Sequence, residues 1–167
     1  MTATCGHQGA LMWGASIDSL AVLNHVRDVV VDLTCDPADL TPHDAPGWRT
    51  STHALRDAQI SWSMLWGGTD AGLLAIRDAY LNDTPITLAA LDGDTTDPTR
   101  GSEGLLATCL ITAFARDERL TDTLAVHITA KPTLAASDPV WMSGLIDLDV
   151  GGFVTDDLTG QIVAVAA

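Results

Sequence analysis

Apolar residues recur at every second position along most of this chain, which is the period of a β-strand. The clearest run covers residues 59–66. Ile60, Trp62, Met64 and Trp66 point one way, and Gln59, Ser61 and Ser63 point the other, as a half-buried antiparallel strand requires. Residues 27–35 repeat the pattern. Val29, Val31, Leu33 and Cys35 share a face against Asp28, Asp32 and Thr34, with Val30 breaking the polarity. Leu124, Val126 and Ile128 alternate with Ala125, His127 and Thr129. Residues 86–91 and 105–115 are strand-like but apolar on both faces. Such strands sit centrally in a sheet or against another subunit.

One segment departs from this period. Between Thr69 and Leu81 the apolar residues Leu73, Leu74, Ile76, Tyr80 and Leu81 fall on one helical face. Thr69 or Asp70 caps the start, and the stretch from Asn82 to Pro85 stops it. The expectation is one flanking helix of about three turns, over residues 69–82. Residues 36–48, with three prolines, one glycine and the acids Asp36, Asp39 and Asp44, read as a long excursion from the sheet. Residues 92–104, rich in Asp, Thr and Gly, read as a second loop. The texture changes after Leu134. The chain therefore divides into a β domain over 1–134 and an extension or arm over 135–167, in which 153–155 and 161–165 can pair as a hairpin.

Charge bounds the partners. Against 22 acidic residues stand 8 basic ones, for a net charge of −14. That balance repels nucleic acid and anionic lipid, so gripping either is excluded; letting DNA slide past an acidic wall is not. The same excess also serves plain solubility. No apolar run is long enough to span a bilayer and no basic start leads into an apolar stretch, so the expected compartment is the cytoplasm where the chain is made. Three widely spaced cysteines, Cys5, Cys35 and Cys109, do not make a disulfide framework.

The residue patterns of catalysis are weak here. Residues 67–72 (Gly-Gly-Thr-Asp-Ala-Gly) open the helix without the lysine of a phosphate loop, and read as a capped turn. Cys5 and His7 are neighbours, but no tight pair of zinc ligands accompanies them. Gly14-Ala15-Ser16-Ile17-Asp18 supplies only half of a nucleophile elbow. With five histidines among so many acids, His–Asp pairs arise by chance. Neither a catalytic residue nor a metal or cofactor ligand stands out. Trp13, Trp62 and Trp66 read as core. Trp48 and Trp141 lie in loop contexts, where an aromatic either anchors a protein contact or packs a corner.

The order of these pieces carries a resemblance. Val31-Asp32-Leu33-Thr34 is followed by Gly47-Trp48-Arg49, the alternating strand at 59–66, the helix, and a late strand ending Ile128-Thr129-Ala130-Lys131-Pro132-Thr133-Leu134. Across residues 8–134 the chain resembles the major tail tube proteins of long-tailed, siphovirus-like bacteriophages and prophages. Its most specific parts are the Ala-Lys-Pro-Thr-Leu ending and the Gly-Trp-Arg loop. Ala130 stands where the family has glycine, and Ala58-Gln59 replaces glycines before the central strand.

The resemblance implies a mainly β fold, a β-sandwich or distorted barrel with one short helix at its side and long loops. It implies a structural virion protein without enzymatic activity or cofactor, assembling with itself into stacked six-membered rings whose joined sheets line a channel for DNA. The tail tip, tape measure and tail terminator proteins are then its other partners, DNA is only a transient cargo, and no membrane is involved. Candidate inter-subunit contacts are Asp36, Asp39, Asp44, Trp48, Arg49, Lys131 and Trp141. Two other classes fit the same residues. One is a different virion part, such as a tail terminator, head-tail joining or decoration protein. The other is a small ligand-binding β-barrel or hydrolase with a closed apolar pocket.

Overall fold

The computed structural model describes residues 9–43, 47–93, 102–118, 123–134, 138–147 and 152–155. Nine strands and one α-helix make up the described chain. They are β1 (Ala10–Gly14), β2 (Ala21–Val22), β3 (Val26–Asp39), β4 (Ser51–Leu65), α1 (Ala71–Leu81), β5 (Ile86–Leu91), β6 (Ser102–Asp117), β7 (Ala125–Pro132), β8 (Val140–Asp147) and β9 (Gly152–Thr155). A 3-10 turn at Ile17–Ser19 links β1 to β2.

All nine strands belong to one antiparallel sheet with the order β2-β1-β5-β6-β7-β4-β3; β8 joins β6 and β9 joins β8. The order itself forces curvature. Strands β2 and β3 stand at opposite ends of the path, six spacings of ~4.8 Å apart if the sheet were flat, or about 29 Å. Yet only Leu23, Asn24 and His25 separate them in sequence, a reach of at most about 14 Å. The sheet therefore rolls until its ends approach, giving the curled half-barrel expected of the distorted-barrel class. His25, with φ 59, makes the turn at the join, and its carbonyl accepts the Leu65 amide at 3.2 Å.

The curl encloses a core. Ile60, Trp62 and Met64 from β4, Val126 and Ile128 from β7, and Leu88 from β5 pack with Leu73 and Ile76 of α1. Fully burying a side chain of this size stabilises the fold by about 1.5–3 kcal/mol relative to exposure. The Trp62 indole N–H is buried without a partner among the described residues, which offsets part of its gain by about 1–3 kcal/mol.

Strand β5 is apolar on both faces because both faces are covered, and β6 is covered in the same way only up to Ile111. In β5, Ile86, Leu88 and Ala90 join the large core. Ala89 and Leu91 join a smaller cluster on the other side with Met12 and Met142. The central placement expected from sequence is what the sheet order gives.

Helix α1 starts one to two residues later than the spacing suggests, with Asp70 rather than Thr69 at its cap. The Asp70 carboxylate accepts the Leu73 amide at 2.8 Å, satisfying one of the free donors of the first turn. Tyr80 stacks on Phe114 of β6 with centroids 6.1 Å apart, and Arg116 lies 4.8 Å over the Trp66 ring. Replacing Asp70 with alanine is expected to cost about 1 kcal/mol, read as a fall of a few degrees in the thermal midpoint; an unchanged midpoint would mean that water replaces the cap.

Three local readings change. Residues 36–39 are not loop: β3 runs on to Asp39, and only residues 40–50 connect it to β4. Pro37 did not end the strand, because β3 is an edge strand and an edge tolerates a missing amide donor. Val29 does not share the core face with Val31, because a bulge between Arg27 and Val30 takes it out of register. Ser102, Glu103 and Gly104 belong to β6 rather than to the loop before it. The strand at 152–155 is present and pairs with β8, while the segment 161–165 lies outside the described residues.

Candidate inter-subunit surface

Two features of the sheet present surface that the described subunit leaves uncovered. The first is an arm. Strand β4 is held by β7 only from Ile60 to Leu65, while its pairing with β3 runs on through Thr34↔Asp57 to Asp39↔Ser51. Beyond Ala58 the hairpin is thus a two-stranded ribbon, about 20 Å long at ~3.3 Å per residue. Every residue from Ser51 to Asp57 is exposed. A lone two-stranded ribbon is marginal in water.

Local chemistry still gives the arm a defined tip. The Asp39 carboxylate accepts the Thr41 amide at 2.8 Å and the Thr41 hydroxyl. Those bonds hold Asp39 below the usual carboxylate range, the hydroxyl contributing most. The Thr41 hydroxyl oxygen accepts the Thr50 amide at 2.9 Å, and the Leu40 amide donates to the Thr50 carbonyl at 2.8 Å. Gly47 takes φ +87, a conformation that costs most other residues strain. The arm also carries apolar groups in water: Leu33 is 56% exposed, Leu40 59%, Leu55 80% and Trp48 84%.

The second feature is the sheet face away from α1. Cross-strand partners share a face, so the register collects Asp32, Gln59, Ser61, Ser63, His127, Thr129 and Lys131 there. On β3, β4 and β7 this face is largely polar, with Val30 opposite Ser61 the exception, and among the described residues no helix covers it. Next to it, β5 releases β6 after Cys109, and residues 110–117 of β6 keep β7 on one side with no strand on the other among the described residues. Strand β3 likewise pairs only with β4. Among the described residues these two edges lack a strand partner, as do the outer sides of β2 and β9, and an unpaired edge offers backbone donors and acceptors.

The sequence-derived contact residues fall in three places. Asp36 and Asp39 are exposed on the arm, and Trp48 and Arg49 are exposed at its tip; Asp44 lies outside the described residues. Lys131 is at the root of the arm, where its ammonium meets the Asp57 carboxylate at 2.5 Å. That pair lowers the Asp57 pKa, but both groups are well exposed, so salt screens it. Trp141 is separate from these. Half-exposed on β8, it donates its indole N–H to Glu103 at 2.6 Å. Sequence reasoning missed both Leu33, which it placed on a strand face with Val31, and Leu55, which lies outside the alternating run at 59–66.

Of the other candidates raised by the sequence, Cys5 and His7 lie outside the described residues. Cys109 is buried, and desolvation pushes its thiol up to about 12, which suppresses the reactive thiolate. The Ser16 hydroxyl is engaged by Ser19 at 3.2 Å. No group of three His, Cys, Asp or Glu residues is placed to hold a metal among the described residues. Among the described residues no helix is long and apolar enough to cross a membrane. The seam between the rolled sheet ends leaves a groove of about 1010 Å³ lined by Val22, His25, Val31, Leu91 and Trp141; it is an open cleft rather than the closed pocket of a ligand-binding barrel.

No family model and no curated protein matches this sequence. Solved structures do match in fold, and they define it as the tail-tube fold. The tail of an empty gene transfer agent particle with C6 symmetry superposes with a TM-score of 0.68 at 14% identity, over 84% of this chain and 99% of that one. The SPP1 tail tube gives 0.69 at 15% identity, over 98% of this chain and 96% of that one. The sheath-tube complex of an extracellular contractile injection system, PVC, gives 0.58 at 12% identity, over 84% and 92%.

Proposed function

We propose that this protein is the structural subunit of a phage or prophage tail tube, that it is not an enzyme, and that it works in the virion tail after synthesis in the bacterial cytoplasm. The observation that carries this reading is the exposed arm on a tail-tube fold. A ribbon with Leu55 and Trp48 in water needs a second surface to bury them. The arm reaches a subunit of the adjacent ring, with Asp36, Asp39, Trp48 and Arg49 at that contact and Asp44 beside them in sequence. The free edges of β3 and β6 pair with neighbouring copies within a ring, so that the helix-free polar faces form one wall.

Six copies per ring, as in the C6 tail, and stacking into a hollow tube follow from the same reading. The net charge of −14 lets DNA pass that wall without binding. Residues 135–167, with Trp141, extend the ring contact as an arm, and the tail tip or tape measure and terminator proteins meet the ends of the tube. A contractile-system tube is the second reading, favoured by the likeness to the injection-system complex.

Negative-stain electron microscopy of the purified protein over a range of concentration and salt tests the assignment. Rings or hollow tubes are expected. A uniform small particle under all conditions, with no growth on addition of an initiating tail-tip complex, would overturn it.

A further inference from the structure

The arm holds a second device that stacking does not require. Strand β3 bulges between Cys35 and Pro37, where proline cannot donate to the ladder. The irregularity lets Cys35 reach across the ribbon. Its sulfur stands 3.1 Å from His53 Nδ1, although the residues are 18 apart in sequence. The thiol's other contact is long, 3.7 Å to the Asp36 carbonyl oxygen. Cys35 is only half-buried and His53 is exposed, so the pair is open to solutes, unlike Cys109.

We propose that Cys35 and His53 form a two-ligand site for a thiophilic divalent cation of the zinc class. Sulfur and imidazole nitrogen are the donors such ions prefer. Zinc bonds of about 2.3 Å to sulfur and 2.0–2.1 Å to nitrogen place the two donors roughly 3.5 Å apart at a tetrahedral angle. The observed pair has only to open by a few tenths of an ångström, within the spread of a single rotamer well. On binding, the thiol loses its proton to solvent and the sulfur's electron pair forms the bond to the metal. The imidazole binds as the neutral ring through the Nδ1 lone pair and keeps its hydrogen on Nε2. No oxidation step is involved. No third protein ligand completes the set among the described residues, so water fills the remaining positions in the free subunit. The ion would tie β3 to β4 in the part of the ribbon that β7 no longer supports. This inference does not rest on the tube assignment.

The test is a cobalt(II) titration of the full-length reduced chain, stripped of metal, with thiolate-to-cobalt charge-transfer absorption as the readout. A band that saturates at one equivalent and is bleached by zinc is expected. Cys35→Ser removes it, and His53→Gln weakens the apparent affinity by at least about tenfold. Both positions lie on the exposed ribbon, so the folded spectrum in the far ultraviolet is retained. The proposal falls if the natural chain shows no band, if the band survives Cys35→Ser, which would place the ion at Cys5 or Cys109, or if His53→Gln binds as tightly as the natural chain.

Discussion

Leu55→Glu is expected to stop the protein from forming tubes while leaving the subunit folded. Leu55 is 80% exposed on the arm, so within one subunit the change falls in the surface range of about ±0.5 kcal/mol. Across a subunit contact the same change puts a carboxylate into an apolar interface, where central positions are worth about 2 kcal/mol or more. In the proposed rings that penalty would recur at every copy, so the assembly threshold is expected to rise steeply with a modest change per contact. Trp48→Ala, at a side chain 84% exposed, is expected to act in the same direction. Electron microscopy at matched concentrations, together with a thermal melt, separates the two effects. Tubes of normal length from both variants would remove the arm from the assembly contact. A collapsed melt would instead mean that the arm supports its own subunit.

The largest expected effect on folding is at Gly104. Its Cα packs against β5 so closely that an added Cβ would lie 1.8 Å from the Ala90 carbonyl oxygen and 2.8 Å from the Ala90 carbonyl carbon. Both are backbone atoms in the sheet centre, and no rotamer change relieves the clash. Gly104→Ala must therefore separate β5 from β6 where Leu91 pairs with Gly104, and where β8 pairs on the opposite edge through Met142. The expected cost exceeds about 4 kcal/mol, a large part of the 5–15 kcal/mol that holds a domain together. The variant should be recovered unfolded or insoluble. Gly68→Ala is the control, because a Cβ there meets nothing within 4 Å. A Gly104→Ala protein with a native melting midpoint would contradict the close approach of the two strands.

What could be read from the sequence follows from where the physics is local. The alternation at 59–66 marks β4 because one face of that stretch is buried and the other is not, and the helical spacing before Leu81 marks α1 for the same reason. The double-sided apolarity of residues 86–91 gives β5 its central place, although not its neighbours. Residues 36–39 were opaque because a ribbon exposed on both faces has no polarity period to read. Pro37 adds a signal that means loop everywhere except at an edge. Trp48 was legible as a loop aromatic, with an anchor and a packed corner left open, and the structure leaves it exposed. Leu55 was not legible, since it precedes the alternating run at 59–66 and a ribbon exposed on both faces has no polarity period to mark it. The Cys35–His53 pair was also hidden: their meeting depends on the hairpin register and on one bulge, and neither leaves a spacing rule in the chain.

The three-residue join between the ends of the sheet also constrains how the molecule is made. Strand β1 emerges early during synthesis, but its partner β5 follows only after the arm, β4 and α1; Ala10 waits for Leu91. Strand β4 waits similarly for β7. Pairs of consecutive strands such as β1–β2, β3–β4, β5–β6 and β6–β7 can close locally, but β1–β5 and β4–β7 cannot, and long-range pairings of this kind slow folding. Until they form, the Ile-Thr-Leu-Ala-Ala-Leu strand β5 is a bare, uncharged β segment, the kind that recruits other chains. Its outer edge stays open until β1 pairs with it.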